Sequence, residues 1–124
     1  MQEGNISEEI QEILKELEEN VPEIEASALI SAEGFPIASA LPRDIDEIRV
    51  AAMTAAILNM GERAAMDLHK GELNAVIIQT TKGYIVSVAA GEDAVLTATT
   101  TKEARLGFLL LYIERAAKKI SEKL

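Results

Sequence analysis

A chain of 124 residues can enclose one hydrophobic core, and its formal net charge of −9 at pH 7 argues against nucleic acid and anionic membrane as partners. Both kinds of partner are held mainly by clustered Lys and Arg, and the sequence has no basic stripe. The absence of cysteine excludes a disulfide framework, a thiolate nucleophile and a thiolate metal site.

Charge is distributed unevenly between the two ends of the chain. Residues 1–25 carry nine Glu against one Lys, whereas residues 100–124 carry six Lys and Arg against three Glu. The two ends are therefore electrostatically complementary. No signal peptide is recognisable at the amino terminus, and no apolar run approaches the roughly 20 residues that span a bilayer, so the expected location is the cytoplasm.

The first predicted helix opens near Asn5 or Ser7, either of which can cap free N–H groups, and ends before Pro22. Two strands follow, over residues 24–31 and 35–40. Gly34 supplies the positive φ of the turn between them. Pro36 lacks an N–H donor, which either places the second strand at a sheet edge or lets its proline face solvent.

A long helix is predicted next, beginning at Asp44 with Glu47 three residues on and ending at Lys70-Gly71. It carries two apolar stripes. The stripe expected to cover its own sheet consists of Ile48, Ala51, Ala55, Leu58, Gly61, Ala65 and Leu68. The second consists of Met53, Ile57, Met60 and Ala64. A surface helix needs only one such stripe, so the second predicts another partner.

Three further strands are predicted over residues 73–80, 84–90 and 94–99, joined by turns too short for a crossover. They therefore form an antiparallel meander. The run from Ala75 to Ile78 has no charge and no proline, so we expect it to be central in the sheet or paired with another chain. In the last helix, Thr100 and Glu103 fit a capping box, and Gly107 suggests a close contact with the sheet or another helix.

The resulting order, α-β-β-α-β-β-β-α, predicts an α+β fold, an α/β sandwich with one sheet and helices on its faces. Nothing in it predicts catalysis. His69, the only histidine, is expected in the last turn of the long helix, where its charged form suits the helix dipole. No glycine-rich phosphate loop occurs, so we predict no enzyme, no cofactor, no metal and no small-molecule substrate.

Several local signatures together resemble the Roadblock/LC7 family. The matching stretches are Ala28 to Ser39, Leu58 to Ala64, Gly71-Glu72-Leu73, Gly83-Tyr84 and Gly107. The resemblance covers nearly the whole chain and implies one domain over residues 1–124 with a profilin-like, five-stranded, mostly antiparallel sheet. It places the long helix on one face and the terminal helices on the other.

The resemblance also implies a homodimer in which the long helices pack together and the third strands pair. The residues expected at that interface are Ile48, Ala52, Ala55, Ala56, Asn59, Ala75, Val76, Ile77 and Ile78. Prokaryotic members look like regulators of Ras-like small GTPases, and eukaryotic relatives serve as dynein light chains or scaffolds.

The first hypothesis is accordingly a homodimeric platform that alters GTP hydrolysis or nucleotide retention in such a GTPase. Its candidate contacts are Arg49, Met53, Ile57, Met60 and Arg63. Either arginine could reach a phosphate as an arginine finger or be an ordinary solvent-facing side chain. The alternative is a dimeric scaffold or motor-associated subunit without effect on nucleotide chemistry, and a ligand-binding or enzymatic role is the third.

Overall fold

Residues 2–124, which the computed structural model describes, form three helices and five strands, with side chains described from Ile6 onward. The elements are α1 (Gln2–Asn20), β1 (Ile24–Ser31), β2 (Pro36–Ala40), α2 (Glu47–Asp67), β3 (Ala75–Thr80), β4 (Gly83–Ala89), β5 (Ala94–Thr100) and α3 (Leu106–Lys123). The predicted order is confirmed, and none of the helices in these residues is long and apolar enough to cross a membrane.

The strands form one antiparallel sheet in the order β2-β1-β5-β4-β3. The predicted hairpin and meander are both present, and the pairing of β1 with β5 joins them at the centre. Pro36 lies on the edge strand β2, as its missing donor predicts. At the other edge lies β3, so the uncharged run from Ala75 to Ile78 is not central within the protomer.

The helices occupy opposite faces of the sheet. Because strand side chains alternate, Leu29 packs into the core shared with α1 and α3, whereas Ile30 packs into the core under α2. The larger core includes Ile10, Leu14, Leu29, Leu96, Ile113 and Ile120. The helix arrangement implied by the family resemblance is therefore confirmed.

The acidic first helix lies beside the basic last helix, as the charge distribution predicts. Nζ of Lys119 lies 3.1 Å from a carboxylate oxygen of Glu16, and Nζ of Lys123 lies 2.9 Å from one of Glu9. All four side chains are about half exposed, so each pair contributes at most about 1 kcal/mol. The pairs orient α1 against α3, and burial of the apolar stripes supplies most of the stability.

All three predicted helix starts are wrong. The first helix begins at Gln2, so Asn5 and Ser7 lie inside it. The second is capped by Asp46 rather than Asp44. In place of a capping box, Thr100 ends β5, pairs with Ile24 and accepts a hydrogen bond from the backbone N–H of Tyr84. Sheet pairing therefore overrides the local capping signal, and α3 begins six residues later.

The end of α2 also differs from the prediction. His69 lies just beyond the helix rather than in its last turn, and it adopts a left-handed backbone with φ of 57°. The N–H of Lys70 bonds to the carbonyl of Ala65 at 2.8 Å, and that of His69 to the carbonyl of Met66 at 3.1 Å. This is a Schellman motif whose left-handed residue is His69, two positions before the predicted Gly71.

Candidate interaction surface on the long helix and the third strand

Side-chain hydrogen bonds set the start of α2. The carboxylate of Asp46 accepts hydrogen bonds from the N–H groups of Ile48 at 3.0 Å and Arg49 at 3.4 Å. The hydroxyl of Ser39 on β2 donates to the carboxylate of Glu47 at 2.7 Å. The first turn of the helix is thereby anchored to one edge of the sheet.

One stripe of α2 packs on its own sheet. Its buried residues are Ala51, Thr54, Ala55 and Leu58. Further along, Gly61 lies so close to β3 that an added Cβ would come within 2.9 Å of Cγ2 of Val76 and 3.1 Å of Cδ2 of Leu73. This close contact is made with the helix's own sheet. The helix crosses from the β1–β2 hairpin to the β3 edge.

The two ends of that stripe do not follow the prediction. Ile48 is 68% exposed and Leu68 is 69% exposed, although both were expected on the sheet. Ile48 lies in the first turn and Leu68 is the C-cap residue, so both lie beyond the part of α2 that crosses the strands. Both ends of the helix thus present a large apolar side chain to solvent.

The outer face of α2 is broadly apolar. Ala52, Met53, Ala56, Asn59 and Met60 are exposed, and Ile57 is half-buried. Arg49 and Arg63 are exposed on the same side of the helix. Ala55 is the exception among the predicted interface residues of α2, because it is buried within its own protomer. A contiguous exposed apolar face of this kind is typical of a protein-protein contact.

The two edges of the sheet differ in how well they are protected. On β2, Pro36 has no N–H to offer, and the side-chain amide of Gln11 donates to the carbonyl of Ser39 at 2.7 Å. Residues 75–80 of β3 contain no proline and no charge, and Ile77 is 39% exposed. An edge of this composition is a template for another strand.

The α2 face and the β3 edge are adjacent, because Gly61 brings the carboxyl half of the helix over Val76. The carboxyl half of α2 thus lies beside β3, where Ala75, Val76 and Ile78 are half-buried. Two exposed residues were missed. Phe35 follows the Gly34 turn, which contacts Ala52, and Met66 lies in the last turn of α2. An apolar residue in a turn was the only available signal for Phe35.

Nothing in this surface resembles a catalytic centre. Among the residues that the structure describes, no group of His, Asp and Glu could hold a metal ion. The nearest depression, about 580 Å³ beside Met66 and Leu73, is wide open to solvent. The surface can exclude water against another protein, and its two arginines can meet negative charge.

Comparisons with known proteins agree with this architecture. A family model described as the Roadblock/LC7 domain matches residues 9–100. MJ1340 of Methanocaldococcus jannaschii is 34% identical over 97 residues, which cover 78% of this chain and 84% of that protein.

Solved structures extend the likeness to the fold. A structure described as MglB with tetrameric arrangement is similar with a TM-score of 0.86 and 22% identity, covering 95% of this chain and 89% of that one. A profilin of Schizosaccharomyces pombe is similar with a TM-score of 0.66 and 14% identity, covering 89% and 94%. At these identities the likeness concerns the fold, and the profilin-like sheet expected from the sequence is confirmed.

Proposed function

Because the chain belongs to the Roadblock/LC7 family, we propose that it works as a homodimer whose paired α2 helices bind a Ras-like small GTPase and bias its nucleotide state. The observation that carries this proposal is the continuity of the apolar outer face of α2 with the open edge of β3. A second copy of the chain presents the same two features in return and can cover both at once.

A two-fold axis beside β3 meets that requirement. Antiparallel pairing of two β3 strands satisfies the open backbone edge, and the same rotation brings the second α2 alongside the first, running in the opposite direction. Ala52 and Ala56 allow the helix axes to approach to about 8 Å.

The comparison with MglB supports self-association, since that protein is described in a tetrameric arrangement. The GTPase partner is inferred from the family resemblance and from the side chains that would remain exposed on the outer face of the paired α2 helices. Met53, Ile57 and Met60 are adaptable apolar contacts, and Arg49 and Arg63 flank them. Two copies of this set form a symmetric platform about the axis.

Regulation requires different affinities for the two states of the GTPase. A platform that binds the GTP-loaded switch regions more tightly than the GDP-loaded ones stabilises the GTP-bound conformation, and an arginine aimed at the phosphates can accelerate hydrolysis. Equal affinity for both states shifts no equilibrium and would instead favour the scaffold hypothesis. The chain itself supplies no nucleotide-binding loop.

The test measures binding of small GTPases from the same genome, loaded with GDP or a non-hydrolysable GTP analogue, and single-turnover GTP hydrolysis. We expect state-dependent binding of a GTPase to the dimer. Arg49→Ala and Arg63→Ala should alter hydrolysis, whereas Lys82→Ala, in the β3–β4 turn, should not. Failure of every GTPase to bind in either state would refute the proposed partner.

A further inference from the structure

The sheet face that carries α1 and α3 has an uncovered strip along β3. α3 packs over β4 and β5, and no helix within residues 2–124 packs over β3 on this face. Ile77 points to this side, because it pairs with Val86, whose side chain lies in the core beneath α3. Ala75 and Gln79 share its face by alternation. The strip is therefore an uncharged floor that is exposed at Ile77 and Gln79.

One side of α3 forms a wall beside this strip. Gly107, Leu110, Glu114 and Lys118 follow one another at helical spacing along that side. Asn74, Val88, Glu114 and Lys118 line an open depression of about 510 Å³ between α3 and the start of β3. An added Cβ on Gly107 would meet nothing within 4 Å, so the close contact that the sequence predicts there is not made within the protomer.

The dimer proposed above, on which this inference rests, would convert the strip into a groove. Strands lie about 4.8 Å apart, so a helix seated over β4 and β5 lies roughly 10 Å from the two-fold axis between two β3 strands. The two α3 axes are then about 20 Å apart. Packed helices lie about 8–10 Å from each other, which leaves room for one more helix between the two walls.

We propose that this groove binds a single amphipathic helix of a partner protein, apolar where it meets Ile77 and basic along both flanks. The charge follows from Glu114, which is exposed and forms no ion pair among the described residues. The two-fold axis places one Glu114 on each wall above an uncharged floor. Lys118 lies one turn further along α3 and lines the same depression as Glu114.

Symmetry sets the stoichiometry. A helix lying across a two-fold axis can point in either of two opposite directions, but it occupies the axis alone. Binding is therefore one helix per two chains. The opposite face, with the α2 pair, stays accessible, so the dimer could hold a GTPase on one side and a helical partner on the other.

The experiment uses a fluorescent designed peptide of about 18 residues, helical, with Leu and Ala along one stripe and Lys on both flanks. A twin peptide with Glu in place of Lys is the matched ligand control. Binding is followed by anisotropy, stoichiometry by titration, and chain association by sedimentation. We expect one Lys-flanked peptide per two chains and binding of the Glu-flanked twin at least about tenfold weaker.

Two substitutions test whether the peptide binds in the groove. Gly107→Trp adds a large side chain at a position where a Cβ would meet nothing within 4 Å, and it should abolish binding; Glu114→Lys should weaken binding about tenfold or more. Glu8→Lys, on exposed α1, makes the same change in net charge away from the groove and should have little effect. All three variants should remain dimers.

A dimer that fails to bind the Lys-flanked peptide overturns the groove proposal alone. Binding of one peptide per chain also overturns the groove proposal. Equal weakening by Glu8→Lys and Glu114→Lys overturns it as well, because it would show that the peptide is attracted only by the net charge of the protein. A monomeric chain at micromolar concentration overturns the dimer first and the groove with it, and sedimentation of the unmodified protein separates these cases.

Discussion

Gly61 of α2 lies directly over Val76 of β3, and a Cβ on the glycine would come within 2.9 Å of a valine methyl carbon. This approach holds the carboxyl half of the long helix at the edge of the sheet. It therefore brings the apolar outer face of α2 and the open strand edge into one surface. A larger residue at position 61 would lift the helix away from β3.

Gly61→Leu should accordingly lower the free energy of unfolding by about 1–3 kcal/mol, because the added atoms overpack the α2–β3 contact. Gly107→Leu is the matched control, since that helical glycine has open space where a side chain would extend. It should be neutral or stabilising by up to about 1 kcal/mol through helix propensity. Urea unfolding at one fixed chain concentration measures both. Equal losses would show that Gly61 is not tightly packed.

The cap of α2 provides a second prediction. Asp46→Ala removes the carboxylate that accepts the N–H bonds of Ile48 and Arg49, and should cost about 1 kcal/mol. Asp44→Ala removes an exposed carboxylate of the same loop, and should change stability by less than about 0.5 kcal/mol. Thermal unfolding compares the two. A larger loss for Asp44→Ala would mean that the helix starts where the sequence alone predicts.

The left-handed residue after α2, His69, provides a third prediction. His69→Gly should stabilise the protein by about 1 kcal/mol, because glycine adopts a φ of 57° without the steric cost borne by other residues. Leu68→Gly, at a φ of −97°, is the comparison and should not stabilise. Chemical denaturation measures both, and destabilisation by His69→Gly would point to a role for the imidazole.

Neighbouring alanines on α2 test the proposed dimer. Ala56→Glu places a charge on the exposed face, so we expect a folded monomer, whereas Ala55→Glu buries that charge under the helix and should prevent stable folding. Sedimentation equilibrium measures association, and circular dichroism measures folding. A dimer of undiminished affinity with Ala56→Glu would place the interface elsewhere.

Much of this fold could be predicted from periodicity and turn residues. Alternation located β1, Gly34 marked the hairpin, and Pro36 indicated an edge strand. These signals are local, since each depends on the backbone geometry of a few adjacent residues. The second apolar stripe of α2 likewise predicted a solvent-facing apolar surface, and Met53 and Met60 are exposed on it.

The helix starts could not be predicted in this way. Thr100 has the residue type and spacing of a cap, but its backbone pairs with Ile24, which is 76 positions away in the chain.

Ala55 and Ala56 are identical side chains in adjacent positions, and only the approach of the sheet makes one buried and the other exposed.

The amino-acid sequence thus determined which segments are helices and strands and which stripes are apolar, because those properties depend on neighbours within a few residues. The tertiary structure decided which stripe is covered, which sheet edge stays open, and that β3 has no helix above it on the α3 face among the described residues. These depend on contacts between distant segments, whose packing no local pattern specifies.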